Sequence, residues 1–235
     1  MTISAVPSTY AGTWILPSSA LTAGQNAFRT TGLVPMNPAA EPASVSIKFL
    51  GHDGNGPSGP EQVSSISPRS TRTWLDVPGS IFGREADWDP ILIRATVATL
   101  VARGQTWTAS PTGGSYGQSV RAIGTAEAIG STAKVIAGIR QDSLFRTNIV
   151  LANMKESNAT VTVSLLLPDG TTATLQTVSI GPLGFLQLNV KDNLGVTNIT
   201  GGSFMITCTT PGDQVAAYAS VSNASTADPR TLLAR

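Results

Sequence analysis

Apolar and polar residues alternate along this chain with a period of two, in short runs broken by Gly, Pro, Asn and Asp. Val45, Ile47 and Phe49 alternate with Ser44, Ser46 and Lys48, and Val161, Val163 and Leu165 alternate with Thr160, Thr162 and Ser164. Successive side chains on a strand point to opposite faces, so this pattern predicts half-buried strands. Asp53-Gly54 and Asp169-Gly170 follow the two runs. Asp-Gly tolerates the positive φ of a tight turn and predicts a hairpin at each place. Further strands are expected at residues 71–77, 91–97, 100–106, 173–178, 185–190, 203–209 and 214–221. No segment carries a convincing helical stripe. The best candidate, residues 125–137, is interrupted by Gly130 and β-branched residues.

The pattern occurs twice. Residues 31–54, TGLVPMNPAAEPASVSIKFLGHDG, match residues 147–170, TNIVLANMKESNATVTVSLLLPDG, at an offset of 116, with eight of 24 positions identical. The offset then drifts. It is 114 for residues 65–68 against 179–182, 113 for 91–93 against 204–206, and 114 for Val101-Ala102 against Val215-Ala216. Small drifts at loops with strands kept in order mark a duplicated domain. Six or seven short strands in each ~110-residue unit predict an Ig-like β-sandwich. The expected fold is therefore all-β: two tandem Ig-like β-sandwich domains related by internal duplication. Residues 1–118 form the first, residues 119–131 the joint, and residues 132–235 the second. Expected core residues are Leu33, Val45, Ile47, Phe49, Ile66, Ile93 and Val101, with their partners in copy two.

Composition narrows the function classes. Charged residues make up 12% of the chain, about half the usual share of ~25%. Net charge is +1 and the basic residues are scattered, so the electrostatic footprint of a nucleic-acid binder is missing. No apolar run approaches ~18 residues, and no membrane insertion is expected. The N-terminus, MTISAVPSTYAGTW, lacks a charged n-region and an apolar h-region. Either the chain is cytosolic or it is an internal module of an exported protein. The low-charge, Thr/Ser-rich composition favours the second, and an extracellular or cell-surface location. Cys208 is the single cysteine. It is expected to be a buried thiol with no disulfide and no metal role.

Candidate chemistry is thin. Residues 54–59 match GxGxxG, but Pro60 and a strand-like run follow where a dinucleotide site needs a helix. Residues 113–117 match GxSxG around Ser115, yet no helix is expected after them. The single His, His52, lies in the first Asp-Gly turn, where copy two has Pro168. Glu85, Asp87 and Asp89 share a loop but fall short of the 6 to 8 oxygens of a Ca²⁺ site. No catalysis, cofactor or metal is expected. Three sequons begin at Asn158, Asn198 and Asn223, all in copy two. The four Trp residues, Trp14, Trp74, Trp88 and Trp107, all lie in copy one. The gap-free offsets set Leu188 opposite Trp74 and Val221 opposite Trp107, which favours core packing for those two. Trp88, between two Asp, is expected to be exposed. Exposed aromatic rings stack on sugar faces, so Trp88, Trp74, Trp107 and Tyr116 are the candidate ligand-binding residues.

The chain resembles the tandem Ig-like modules of bacterial secreted and cell-surface proteins in both halves, most clearly in the second. The resemblance is carried by Thr147-Asn148-Ile149-Val150-Leu151-Ala152-Asn153, Pro168-Asp169-Gly170, Gly184-Phe185-Leu186-Gln187-Leu188-Asn189, Ala217-Tyr218-Ala219-Ser220-Val221 and Asp228-Pro229. It implies a non-catalytic spacer, adhesion unit or carbohydrate-binding appendage of a larger assembly. Two alternative functions are therefore weighed, the first preferred. One is a structural or adhesive module, with a protein partner or self-association through its sheet edges. The other is a carbohydrate-binding module whose partner is a polysaccharide.

Overall fold

The computed structural model describes residues 7, 9–24, 27–50, 56–109, 113–225 and 229–235. His52, the Asp53-Gly54 turn, the start of the GxGxxG match and Asp228 lie outside them. The chain is all-β and forms two compact units, Met1–Ala126 and Glu127–Arg235. The first holds β1 (Gly12–Leu16), β2 (Thr22–Gly24), β3 (Ala27–Asn37), β4 (Ala43–Phe49), β5 (Glu61–Ile66), β6 (Ser70–Thr71), α1 (Val77–Phe82), β7 (Ile91–Ala95), β8 (Val101–Ala109), β9 (Ser115–Arg121) and β10 (Ile123–Gly124). The second holds β11 (Lys134–Gln141), β12 (Phe145–Asn153), β13 (Ala159–Leu166), β14 (Thr172–Ile180), β15 (Phe185–Asn189), β16 (Ile199–Cys208), β17 (Val215–Asn223) and β18 (Pro229–Leu233).

Each unit is a sandwich of two antiparallel sheets. The first unit has the orders β10-β1-β7-β4-β5 and β2-β3-β8-β9, with β6 also on β3; the second has β11-β16-β13-β14 and β15-β12-β17-β18. The units share a framework, with β2 and β10 added in the first. Val45 pairs with Ala95 as Val161 pairs with Cys208, and Ala43 pairs with Ile66 as Ala159 pairs with Ile180. Immunoglobulin domains set the first strand beside the second. Here the first strand of each unit pairs with β7 or its equivalent β16, and β8 or its equivalent β17 stands beside β3 or β12.

The alternation that predicted the strands also fills the cores. Leu33, Val45, Ile47, Phe49, Ile66 and Ile93 are buried in the first unit. Ile149, Val161, Val163, Leu165 and Phe204 belong to one apolar cluster in the second. Asn37 and Asn153 are fully buried and make equivalent bonds. Asn37 Nδ2 donates to the carbonyls of Glu41, Ile66 and Ser67, and Asn153 Nδ2 to those of Ser157, Ile180 and Gly181. Each thus ties a strand end to two neighbouring loops.

Three expectations change. Val101 is 61% exposed, because the copies match at 115 along β8, not 114. Pro35 faces Ala102 as its equivalent Leu151 faces Ala217. A one-residue slip moves every side chain of a strand to the other face. Residues 71–77 are not a strand: β6 ends at Thr71 and α1 begins at Val77. Asp76 caps α1, Pro78 starts it, and Gly83 closes it with a φ of 63°. Six residues are too few to show a helical period, which hid the helix from the sequence. Residues 125–137, read as no convincing helix, supply a 3-10 turn and the start of β11. Finally, most of 119–131 is built into the two units. Residues 119–121 end β9, Ile123 pairs with Ile15, and Ile129 bridges Val215. Val120, Ala122, Ile123 and Ile129 are buried apolar residues.

Candidate functional site

A cleft of about 630 Å³ opens on the first unit, lined by Leu21, Phe28, Thr30, Leu75, Asp76, Trp107, Thr108 and Ala109. Strand alternation builds it. On β8, Ala102, Gly104 and Thr106 are buried, while Arg103, Gln105 and Trp107 alternate with them on the outer face. On β3, Thr31 and Leu33 point inward, and Thr31 bonds Thr106 through their hydroxyls at 2.7 Å. Phe28 and Thr30 therefore share the outer face with Trp107, and Thr30 lies directly opposite it. Phe28 is a diagonal neighbour of Trp107, at a Cβ separation of roughly 7–8 Å for such pairs. Phe28 is 54% exposed.

The opposite wall is Leu75 and Asp76, placed by their neighbours. Trp74 is locked to Leu33 by two backbone bonds, Leu33 N–H to Trp74 O at 2.8 Å and Trp74 N–H to Leu33 O at 3.0 Å. Gly32 allows that approach, since a Cβ there would lie 2.9 Å from the Trp74 carbonyl oxygen. The Arg72 guanidinium stacks 5.1 Å from the Trp74 ring. Leu75 then projects into solvent. Asp76 Oδ1 accepts from Gly79 N–H at 3.0 Å and from the Thr30 hydroxyl at 2.8 Å. The helix cap thus fixes a carboxylate and a hydroxyl beside the exposed Phe28 and the half-buried Trp107. Gly117 lies opposite Trp107 on β9. A Cβ at Gly117 would stand 2.2 Å from the Thr106 carbonyl oxygen and 2.8 Å from Trp107 Cα.

The structure does not gather the four candidate aromatics. Trp107 lines the cleft. Tyr116, 58% exposed, stands opposite Thr108, which also lines it. Trp74 is buried at 9% and supports the wall from behind, so it offers no ring face to a ligand. Trp88, 36% exposed, follows Asp87 in the loop before β7 and is not part of the lining. Trp107 is not the equivalent of Val221. That residue is matched by Thr106, and Trp107 by Ser222 (Thr30 faces Trp107 as Arg146 faces Ser222). Sequence reasoning missed Phe28, Thr30, Leu75 and Asp76. The register of β3 against β8 carries the first two, and the helix cap the last.

Other candidate chemistry falls apart in space. Gly113 and Gly114 adopt positive φ and lead into β9, so Ser115 opens a strand instead of standing on a strand-to-helix elbow. Arg84 Nε lies 3.5 Å from Asp87 Oδ2, and Asp89 is buried. Among the described residues no group of three or more His, Cys, Asp or Glu is placed to hold a metal ion. Cys208 is buried, with Sγ donating to the Ile129 carbonyl at 3.2 Å.

No protein-family profile matches the chain, and no curated protein matches it. Among solved structures, the chain is similar to Thermotoga maritima 1070, at 17% identity and a TM-score of 0.38, over 45% of this chain and 94% of that one. It is also aligned with Bacteroides uniformis beta-glucuronidase 2, at 14% identity and a TM-score of 0.19, over 96% of this chain and 26% of that one. A beta-glucuronidase from glycoside hydrolase family 2 aligns at 9% identity and a TM-score of 0.20, over 96% and 24%. This chain spans about a quarter of the glucuronidases' length.

Proposed function

We propose that the chain is a non-catalytic, extracellular structural and adhesive module whose first unit binds a carbohydrate in the cleft between Phe28, Trp107, Leu75 and Asp76. One observation carries the reading. Trp107, half-buried, stands on the outer face of its sheet beside the exposed ring of Phe28, with a fixed carboxylate and hydroxyl nearby. The apolar face of a pyranose fits the rings, and its hydroxyls fit Asp76 and Thr30. Cleft volumes of about 300–1,000 Å³ with few polar groups suit small ligands. Copy two has Ser222, Arg146 and Leu144 at the positions of Trp107, Thr30 and Phe28, so the site belongs to the first unit.

The test is a polysaccharide and glycan panel read by Trp fluorescence and titration calorimetry. Trp107→Ala should weaken binding at least about tenfold, the loss of a central aromatic anchor, while Trp88→Ala leaves affinity unchanged. Failure of the unaltered chain to bind any glycan of the panel sinks the proposal, as does equal binding by Trp107→Ala.

A further inference from the structure

Edge strands expose unpaired N–H and C=O groups, and proteins blunt them with charge, proline, bulges or shortness. Most edges here follow that rule. β5 carries Glu61, β9 carries Arg121, and β18 opens on Pro229-Arg230. β11 carries Lys134 and Arg140 and has a register irregularity beside Gly138, whose carbonyl is taken by Arg230 Nη2. β15 is five residues long, β2 three and β10 two. β14 is blunted least. Its nine residues, Thr-Ala-Thr-Leu-Gln-Thr-Val-Ser-Ile, carry no charge, no proline and no glycine, and its one irregularity, at Ala173, lies near the strand's start and leaves residues 174–180 regularly paired. It pairs with β13 on one side and ends its sheet on the other.

We infer that β14 pairs antiparallel with β14 of a second copy of this chain, about a two-fold axis through Leu175. Three observations select that occupant and register. First, the uncharged strand meets no like charge when it faces itself. Second, a row of outward residues, apolar but for the buried Ser164, crosses the sheet and stops at this edge. Val135 faces Met205, Met205 faces Ser164, and Ser164 faces Leu175. Val135, Met205 and Leu175 are all exposed, Leu175 at 61%. A two-fold axis at Leu175 sets Leu175 against Leu175 and continues the row into the second copy. Third, Gln176 points inward opposite Val163. Its Oε1 is shielded from solvent and takes no hydrogen bond from any described residue. In this register Gln176 of each copy lies opposite Thr174 of the other, with Cβ atoms roughly 4.5–5.5 Å apart. The Thr174 hydroxyl then donates to that oxygen. The pairing joins two four-stranded sheets into one of eight, and none of its residues lines the first unit's cleft.

Sedimentation velocity on the full chain tests this. The unaltered chain should show a concentration-dependent dimer. Leu175→Lys and Leu175→Glu should each weaken it by at least about tenfold, because each sets like charges opposite one another. An equimolar mixture of the two variants should dimerise again, since only this register brings position 175 against itself. Circular dichroism of the exposed-site variants should match the unaltered chain. A chain that stays monomeric at every concentration overturns the inference, and so does a mixture that stays as monomeric as its components.

Discussion

Cys208 shows how one buried residue makes stability depend on pH. Burial pushes its thiol up to about 11 from a reference of 9.0; nearby Asp213 pushes the same way, and the Val215 backbone opposes. The folded chain therefore holds this proton more tightly than the unfolded chain. Its contribution to stability is complete below about pH 9 and is lost as pH rises through about 11. The urea midpoint of the unaltered chain should fall more steeply over that window than the midpoint of Cys208→Ala. Parallel curves would show that the thiol does not titrate differently on folding. The lone-cysteine reading needed only the residue's place in an apolar run, so its burial was legible in advance. Asn37 and Asn153 were legible only as an identical pair. Their three-carbonyl networks need loops from distant strands to converge, and no local pattern encodes that.

Strands and hairpins carry the site, and here register decides. The period of two placed Val45, Ile47 and Phe49 correctly in the core, because each lies in a run whose copy matches without a gap. It misplaced Val101 and Trp107. The loop after β16 is two residues longer than its equivalent after β7, and the shared Val-Ala letters absorbed one of those residues. Trp107 therefore read as a core filler when it stands on the outer face. Asp76 was invisible for another reason: its role depends on a six-residue helix with no detectable period. The β8–β9 pair depends on Gly117, where a Cβ would meet both the Thr106 carbonyl and Trp107. Gly117→Ala should cost about 1–3 kcal/mol, as overpacking does, and should shift the Trp fluorescence. Ser115→Ala, exposed on the same strand, should stay within about 0.5 kcal/mol of the unaltered chain. Thermal unfolding compares them, and a Gly117→Ala variant as stable as Ser115→Ala would show that the strand pair relaxes freely.

At the scale of the whole molecule, duplication gave two similar sandwiches that differ in what they leave open. The first unit exposes aromatic rings beside a capped helix, and the second leaves a long uncharged edge. Such divergence needs each unit to keep its own core, so that changes on one surface do not unfold the other. Phe49 and Phe204 are fully buried, one in each unit. Truncating a buried Phe to Ala costs about 3–5 kcal/mol. Scanning calorimetry should accordingly resolve two transitions, with Phe49→Ala lowering one and Phe204→Ala lowering the other. Changes on distant, independent sites leave each other's effects additive, so the double variant should lower both by the single-variant amounts. One transition shared by both variants would mean that the copies unfold as a single cooperative block, and that neither surface could have diverged without a stability cost to the other unit.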